Sequence, residues 1–236
     1  MNKVLYIILI SFFSLTVNSC AKKSSDDSKT STDNTATTSS VSFVAVGNSG
    51  TILTSSDNGT TWTSRTSGTT NNLRRVTYGN GLFVTGGGSG TLLTSTDGTS
   101  WTARTSGTTN ILYGVTYGNS IFVIGGTSGT ILTSSDGTSW TARTSGTSVD
   151  LENVIYKNGL FMTVGGSGTI LTSSDGTSWI ARTTATSNNL LRVTYGNGLF
   201  VTVGKEGTIL TSSDGISWTS RTSGTSNRLY GVTYSE

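Results

Sequence analysis

Residues Gly159 to Trp179 read Gly-Leu-Phe-Met-Thr-Val-Gly-Gly-Ser-Gly-Thr-Ile-Leu-Thr-Ser-Ser-Asp-Gly-Thr-Ser-Trp. Nearly the same text leads up to Trp62, Trp101, Trp140 and Trp218, and the five tryptophans are spaced by 39 residues each time. Internal repetition at this length points to a repeat architecture before any other reading. Each unit holds four short β-prone runs, as in Leu190 to Tyr195, Phe200 to Val203, Thr208 to Thr211 and Trp218 to Arg221, separated by Gly, Asn, Asp and Ser clusters. Nothing reads as helix. Four strands in roughly 40 residues make the blade of a β-propeller, whose radial repetition leaves only short sheet edges. A β-solenoid is the competing reading, but its coils are usually shorter.

With the four runs labelled A to D in chain order, the first repeat begins with a B strand at Phe43 and the last stops on an A strand, Leu229 to Tyr234. The C-terminal A strand can join the N-terminal B, C and D strands in one composite blade. The expected fold is therefore all-β: a five-bladed propeller of four-stranded antiparallel blades over residues 41–236, its ring closed by that last strand.

The turn between C and D carries a resemblance. Ser55-Ser56-Asp57-Asn58-Gly59-Thr60-Thr61-Trp62 resembles the Asp-box, or bacterial neuraminidase repeat, Ser-x-Asp-x-Gly-x-Thr-Trp. An Asp side chain accepts hydrogen bonds from turn amides, Gly supplies a positive φ, and Trp covers the hairpin with an apolar face. The other copies, at Asp97 with Trp101, Asp136 with Trp140, Asp175 with Trp179 and Asp214 with Trp218, lack the residue between Asp and Gly. Their turn is one residue shorter. The resemblance extends to sialidases, sortilin-like receptors and photosystem assembly-factor propellers, and it carries fold, not function. The turn aspartates and the arginines three positions after each Trp (Arg65, Arg104, Arg143, Arg182, Arg221) recur in every unit, so they read as blade-building parts; five equivalent ligand sites between blades are the alternative.

Residues 1–19 have the layout of an export signal, with Asn2 and Lys3 before an apolar run of 14 residues, Val4 to Val17. A spanning helix needs roughly 20 apolar residues, so a processed signal fits better than a transmembrane anchor. Val17-Asn18-Ser19-Cys20 resembles the lipobox of bacterial lipoproteins, which implies that Cys20, the only cysteine, is lipidated and becomes the new N-terminus. An ordinary secretory signal ending in Cys is the alternative. Two acyl chains anchor stably without a spanning helix. Ala21 implies sorting to the outer membrane under the lipoprotein rule, so the expected location is the bacterial cell envelope. Residues 20–40 form a polar tether; Lys22 to Ser40 has one apolar residue, Ala36, too little to offset ordering entropy.

Comparing the copies with one another nominates a functional face. Around the D to A connection the matching positions read Asn72, Ile111, Asp150, Asn189, Arg228; then Arg74, Tyr113, Glu152, Leu191, Tyr230; then Arg75, Gly114, Asn153, Arg192, Gly231. The B to C turn varies at Lys205 and Glu206. In a propeller these connections emerge on one face, around the channel mouth. The candidate ligand-binding set is Arg74, Arg75, Tyr113, Asp150, Glu152, Asn153, Arg192, Lys205, Arg228 and Tyr230. Unconstrained loop drift would give the same variation, but the composition is that of surfaces that bind glycans, anions or peptide segments.

Catalysis finds little support. The chain has no His, and a sialidase-like or other glycoside hydrolase, the runner-up, needs two opposed carboxyls. Asp150 and Glu152 are too close in sequence to flank a substrate easily. No metal or cofactor is expected, for want of a Cys/His cluster or a carboxylate-dense loop. Residues 41–236 carry 11 Lys/Arg against 9 Asp/Glu, a net of +2 without a dense basic stripe, which argues against nucleic acid. The expected partners are a membrane, through Cys20, and a glycan or a protein.

Overall fold

The computed structural model describes residues 41–235, so the export signal, Cys20 and the tether lie outside the described residues. Five antiparallel sheets follow one another along the chain. The first holds β1 (Phe43–Val46), β2 (Ile52–Ser55) and β3 (Thr63–Arg65); the second holds β4 (Leu73–Gly79), β5 (Leu82–Gly87), β6 (Leu92–Ser95) and β7 (Thr102–Ala103). The third is β8 (Leu112–Gly118), β9 (Ile121–Gly126), β10 (Ile131–Ser134) and β11 (Thr141–Arg143). The fourth is β12 (Leu151–Lys157), β13 (Leu160–Gly165), β14 (Ile170–Ser173) and β15 (Ile180–Arg182), and the fifth β16 (Leu190–Gly196), β17 (Leu199–Gly204), β18 (Ile209–Ser212) and β19 (Thr219–Arg221). Strands pair in chain order within each sheet, and among the described residues there is no α-helix, only single 3-10 turns between the B and C strands.

The core lies between sheets, because each sheet buries its apolar face against the next. Ile52, Leu73 and Leu93 join the first sheet to the second; Val84, Leu112, Phe122 and Ile124 join the second to the third. Val123, Leu151, Val154 and Phe161 join the third to the fourth, and Met162, Leu190, Val193 and Phe200 the fourth to the fifth. Tyr117 packs on Gly79 and Tyr156 on Gly118, where a Cβ would collide with the ring.

Hydrogen bonds lace the D to A connections to the B to C turns. The Gly50 N–H donates to the Asn71 carbonyl of the next sheet's connection (2.9 Å), as Gly129 does to Val149 (2.8 Å), while Gly88, within the second sheet, donates to Asn72 (2.9 Å). The Asn71–Asn72 and Val149–Asp150 connections are thereby each clasped by two turns. Both variable loops accordingly share one face, called the clasp face below.

The two ends of the array depart from the expectation. Leu229 to Tyr234 has no strand assignment, and the first sheet has three strands. The segment begins as an A strand would: the Leu229 N–H donates to the Gly204 carbonyl (2.9 Å), just as Leu73 does to Gly47 (2.9 Å). Beyond that it has no strand pairing, and β1, its expected partner, stands at the edge of the first sheet, paired with β2. No buried apolar cluster joins the fifth sheet to the first among the described residues.

Candidate functional site

The sequence pattern Leu-x-x-Val at the start of each A strand explains why the clasp face varies. Leu112 and Val115 are both buried although three residues apart, which a side-chain period of two forbids unless one extra residue is inserted. The register slips there in all four paired A strands, between Leu73 and Arg75, Leu112 and Gly114, Leu151 and Asn153, and Leu190 and Arg192. Arg74, Tyr113, Glu152 and Leu191 are the bulged residues. A bulge takes its residue out of the ladder and re-aims the side chain, so this position is free to differ from copy to copy.

The next position packs between neighbouring A strands. A Cβ on Gly114 would come within 2.9 Å of the Val154 nitrogen, so the glycine sets how near β8 approaches β12. Asn153 is only 4% exposed, and its Oδ1 accepts a hydrogen bond from the Val193 N–H of β16 at 3.0 Å. It joins two strands rather than facing a ligand. Arg75 and Arg192, at the same position, are partly exposed.

Asp150 also has a structural task. Its Oδ1 accepts from the Ser128 N–H (3.1 Å), as Asn72 does from Ser49 (2.9 Å) and Asn189 from Ser167 (3.2 Å). Three of the five residues in a column read as variable therefore latch the preceding B to C turn. Sequence comparison by identity hid this, because Asn and Asp share the acceptor oxygen. Another such part went unread: Asn71, Asn110 and Asn188 donate through Nδ2 to the hydroxyls of Thr91, Thr130 and Thr208 at 2.8, 2.8 and 2.9 Å. Their 39-residue recurrence was the available signal.

The remaining predicted residues come together around Glu152. Its carboxyl is half-buried, and burial raises its pKa above the ordinary value; Asp150 raises it further, while Lys205, Arg228 and Arg74 pull it back. Cations from the second sheet, the fifth sheet and the C-terminal segment thus act on one carboxyl. Arg74 lies over the Tyr113 ring (5.7 Å to the centroid) and Arg228 over Tyr230 (5.6 Å). Burial, then the charges of Glu152 and Asp150, raise the Tyr113 phenol, against the pull of Arg74. Burial alone lowers the Arg192 guanidinium.

The opposite turns follow one pattern and are internally satisfied except at the buried Trp218 indole N–H, which has no hydrogen-bond partner. Asp97 accepts from the N–H groups of Thr99 and Ser100 (2.8 Å each), and Ser95 Oγ takes the Gly98 N–H (2.8 Å). Asp136, Asp175 and Asp214 repeat the pattern. In the longer first turn Asp57 instead accepts from Thr61, whose hydroxyl and N–H, with the Ser55 hydroxyl, lower its pKa to about 2. Trp62, Trp101, Trp140 and Trp179 donate their indole N–H to the turn glycine carbonyl at 2.9–3.1 Å. The five repeated arginines each donate Nε–H to a C-strand threonine hydroxyl, as Arg143 does to Thr133 at 2.8 Å. Open grooves of about 670 and 700 Å³ flank Arg65 and Arg104, but those guanidiniums are already held by Thr54 and Thr94. Among the described residues, no group of three His, Cys, Asp or Glu side chains is placed to hold a metal.

Residues 18–144, more than half of the chain, match the model of the DUF6242 beta propeller domain. The chain belongs to that family. No curated protein matches it by sequence. It superposes on YCF48 bound to D1 peptide with a TM-score of 0.59 at 20% identity, covering 75% of this chain and 61% of that one. YCF48 from Cyanidioschyzon merolae gives 0.58 at 18%, covering 75% and 66%. The computationally designed Ika8 protein gives 0.68 at 14%, covering 82% and 62%. The chain thus spans less than two thirds of each solved protein. At these identities the likeness extends to the fold.

Proposed function

We propose that this family member is a non-catalytic, membrane-tethered binding lipoprotein that recognises a glycan or a protein partner through the clasp face. The observation that carries the reading is the set of cations from separate sheets acting on the one half-buried carboxyl of Glu152, with Tyr113 and Tyr230 beside them. Charged and aromatic groups that converge from several elements make a recognition surface. The solved YCF48 with a D1 peptide is a propeller of this general fold holding a peptide, which keeps a protein partner in view. A glycoside hydrolase fits less well, since Asp150 is engaged by Ser128 and lies on the same strand approach as Glu152. In this reading lipidated Cys20 holds the domain at the cell envelope.

The same proposal includes a five-bladed ring. Leu229 to Tyr234 repeats the text of Leu112 to Tyr117 at all six positions, and the pairing of β4 with β5, Thr77 opposite Val84 and Tyr78 opposite Phe83, would by analogy set Thr233 opposite Val44 and Tyr234 opposite Phe43.

 Every core residue of an A strand, in the order Leu-Tyr-Gly-Val-Thr-Tyr, is therefore present in the last one.

Two experiments test the proposal. Glycan-array binding and pull-down from envelope extract, each with an Arg74→Ala/Tyr230→Ala control, should find a partner that the control loses; capture by neither method, or capture the control retains, sinks the clasp-face reading. For the ring, oxidation of a Val44→Cys/Thr233→Cys variant should give a disulfide within one chain, because paired strands bring Cα atoms within bridging range. Absence of that disulfide sinks closure.

A further inference from the structure

The clasp face carries both signs of charge, with Arg74, Lys205 and Arg228 acting on the carboxyl of Glu152 and Asp150 as a second acid beside it. Among the described residues Arg74, Arg192, Lys205 and Arg228 make no ion pair and no side-chain hydrogen bond. Two of them, Arg74 and Arg228, lie over tyrosine rings at 5.7 and 5.6 Å and are exposed, so their guanidinium N–H groups face solvent and are open to a ligand. Arg192 is partly buried with no compensating anion, and withdrawing a charge from water is unfavourable unless it is paired. Against the three cations that act on Glu152 stand two acids, Glu152 itself and Asp150, whose Oδ1 is already engaged by the Ser128 N–H.

We infer that this face binds one compact oxyanion, a phosphate, sulfate or carboxylate group, held jointly by Arg74, Lys205 and Arg228 beside Glu152. The inference rests on the clasp face being the binding surface and names the chemistry that it recognises. A compact group fits better than an extended polyanion, because the cations come from different sheets and act on a single point, whereas a polyanion calls for a basic stripe. Guanidinium forks bind oxyanions in two-point fashion. Glu152 tunes the affinity. Ionised, it repels the ligand; protonated, it donates a hydrogen bond. The groups facing it are Asp150 from its own strand approach, Tyr113 from β8, and the three cations. Burial raises the Glu152 pKa above its ordinary value, so binding tightens as pH falls toward that raised value and weakens above it.

Sulfate is the probe, since its charge stays constant across the range in which Glu152 titrates. Calorimetric titration of sulfate into the full chain, with sodium chloride matched for ionic strength, should saturate with a Kd of about 1 mM or below. Arg74→Gln and Arg228→Gln should each weaken binding about tenfold, the loss of one charge-assisted contact, while Glu152→Gln should tighten it and flatten its pH dependence. Unchanged melting temperatures would confirm that the variants fold. No saturable heat beyond the chloride control overturns the inference, as does an Arg74→Gln/Arg228→Gln variant that binds like the parent or a Glu152→Gln variant that binds more weakly. If sulfate fails while a macromolecule is captured in an Arg74- and Tyr230-dependent way, the oxyanion inference falls and the binding-module reading stands. Sulfate binding with no macromolecule captured has the opposite meaning. Competition by sulfate for a captured glycan or protein would tell whether the oxyanion belongs to that partner.

Discussion

Phe122 on β9 and Phe43 on β1 hold matching places in their repeats, yet the first is fully buried and the second is 49% exposed. The same contrast runs through the A strands: Tyr117 is packed on Gly79, while Tyr78, which begins the series, is 59% exposed. The turn glycines agree, for a Cβ at Gly137 would strike Leu82 of the preceding sheet, whereas nothing lies within 4 Å of one at Gly59. Inner sheets and end sheets are written almost identically. Burial here belongs to a pair of sheets and not to the repeat, as expected where each unit packs only on its neighbours.

The sharpest way to probe this contrast is truncation of the matching phenylalanines. Phe122→Ala should cost about 3–5 kcal/mol in urea unfolding. If the proposed ring closes, Phe43→Ala should approach that cost; a loss several-fold smaller would mean that the first sheet keeps its open edge.

The turns offer a second contrast. Gly129 and Gly146 both have positive φ, 68° and 74°, but a Cβ on Gly129 would run into the Thr147 carbonyl, while one on Gly146 meets nothing within 4 Å. Gly146→Ala should cost about 1 kcal/mol from backbone strain alone, and Gly129→Ala should cost about 1–3 kcal/mol more because the clasp must move. Equal melting temperatures for the two variants would remove the clasp as a structural device.

Acid should loosen the uniform turn face. Turn hydrogen bonds lower Asp57 and Asp214 to about 2 from an ordinary 3.8, and hold Asp97, Asp136 and Asp175 lower still. Groups depressed on folding contribute stability above their unfolded pKa and lose it as pH falls, so the melting temperature should drop between pH 4 and pH 2. Asp136→Asn should shrink that drop. The smallest effect expected is from Arg143→Lys, which loses the Nε–H bond to Thr133 and should cost about 0.5–1 kcal/mol.

Much of the fold was legible in the sequence. The runs from Leu190 to Tyr195 and Phe200 to Val203 correspond to β16 and β17 within a residue at each end. That accuracy comes from punctuation, since Gly and Asn positions with positive φ, such as Asn197 and Gly198, end one strand and begin the next. The candidate site was legible only in part. The two variable loops do share one face, yet variation alone could not separate Glu152, which cations act on, from Asp150, which latches a turn, or from Asn153, which ties β12 to β16. Spacing held one unused clue, because the three-residue step from Leu112 to Val115 already required a bulge at that point.

The repeat, the order of strands, the turn chemistry and the five fixed arginines were determined by the sequence itself, because each depends on contacts within some 40 residues and is written five times over. Tertiary structure alone decided which side chains meet: the four apolar interfaces between sheets, the clasp that threads one sheet's connection through its neighbour's turn, and the gathering of Arg74, Lys205 and Arg228 about Glu152. Those meetings depend on how each sheet is rotated against the next, and the residues concerned lie up to 154 positions apart, counted from Arg74 to Arg228, beyond the reach of any local pattern.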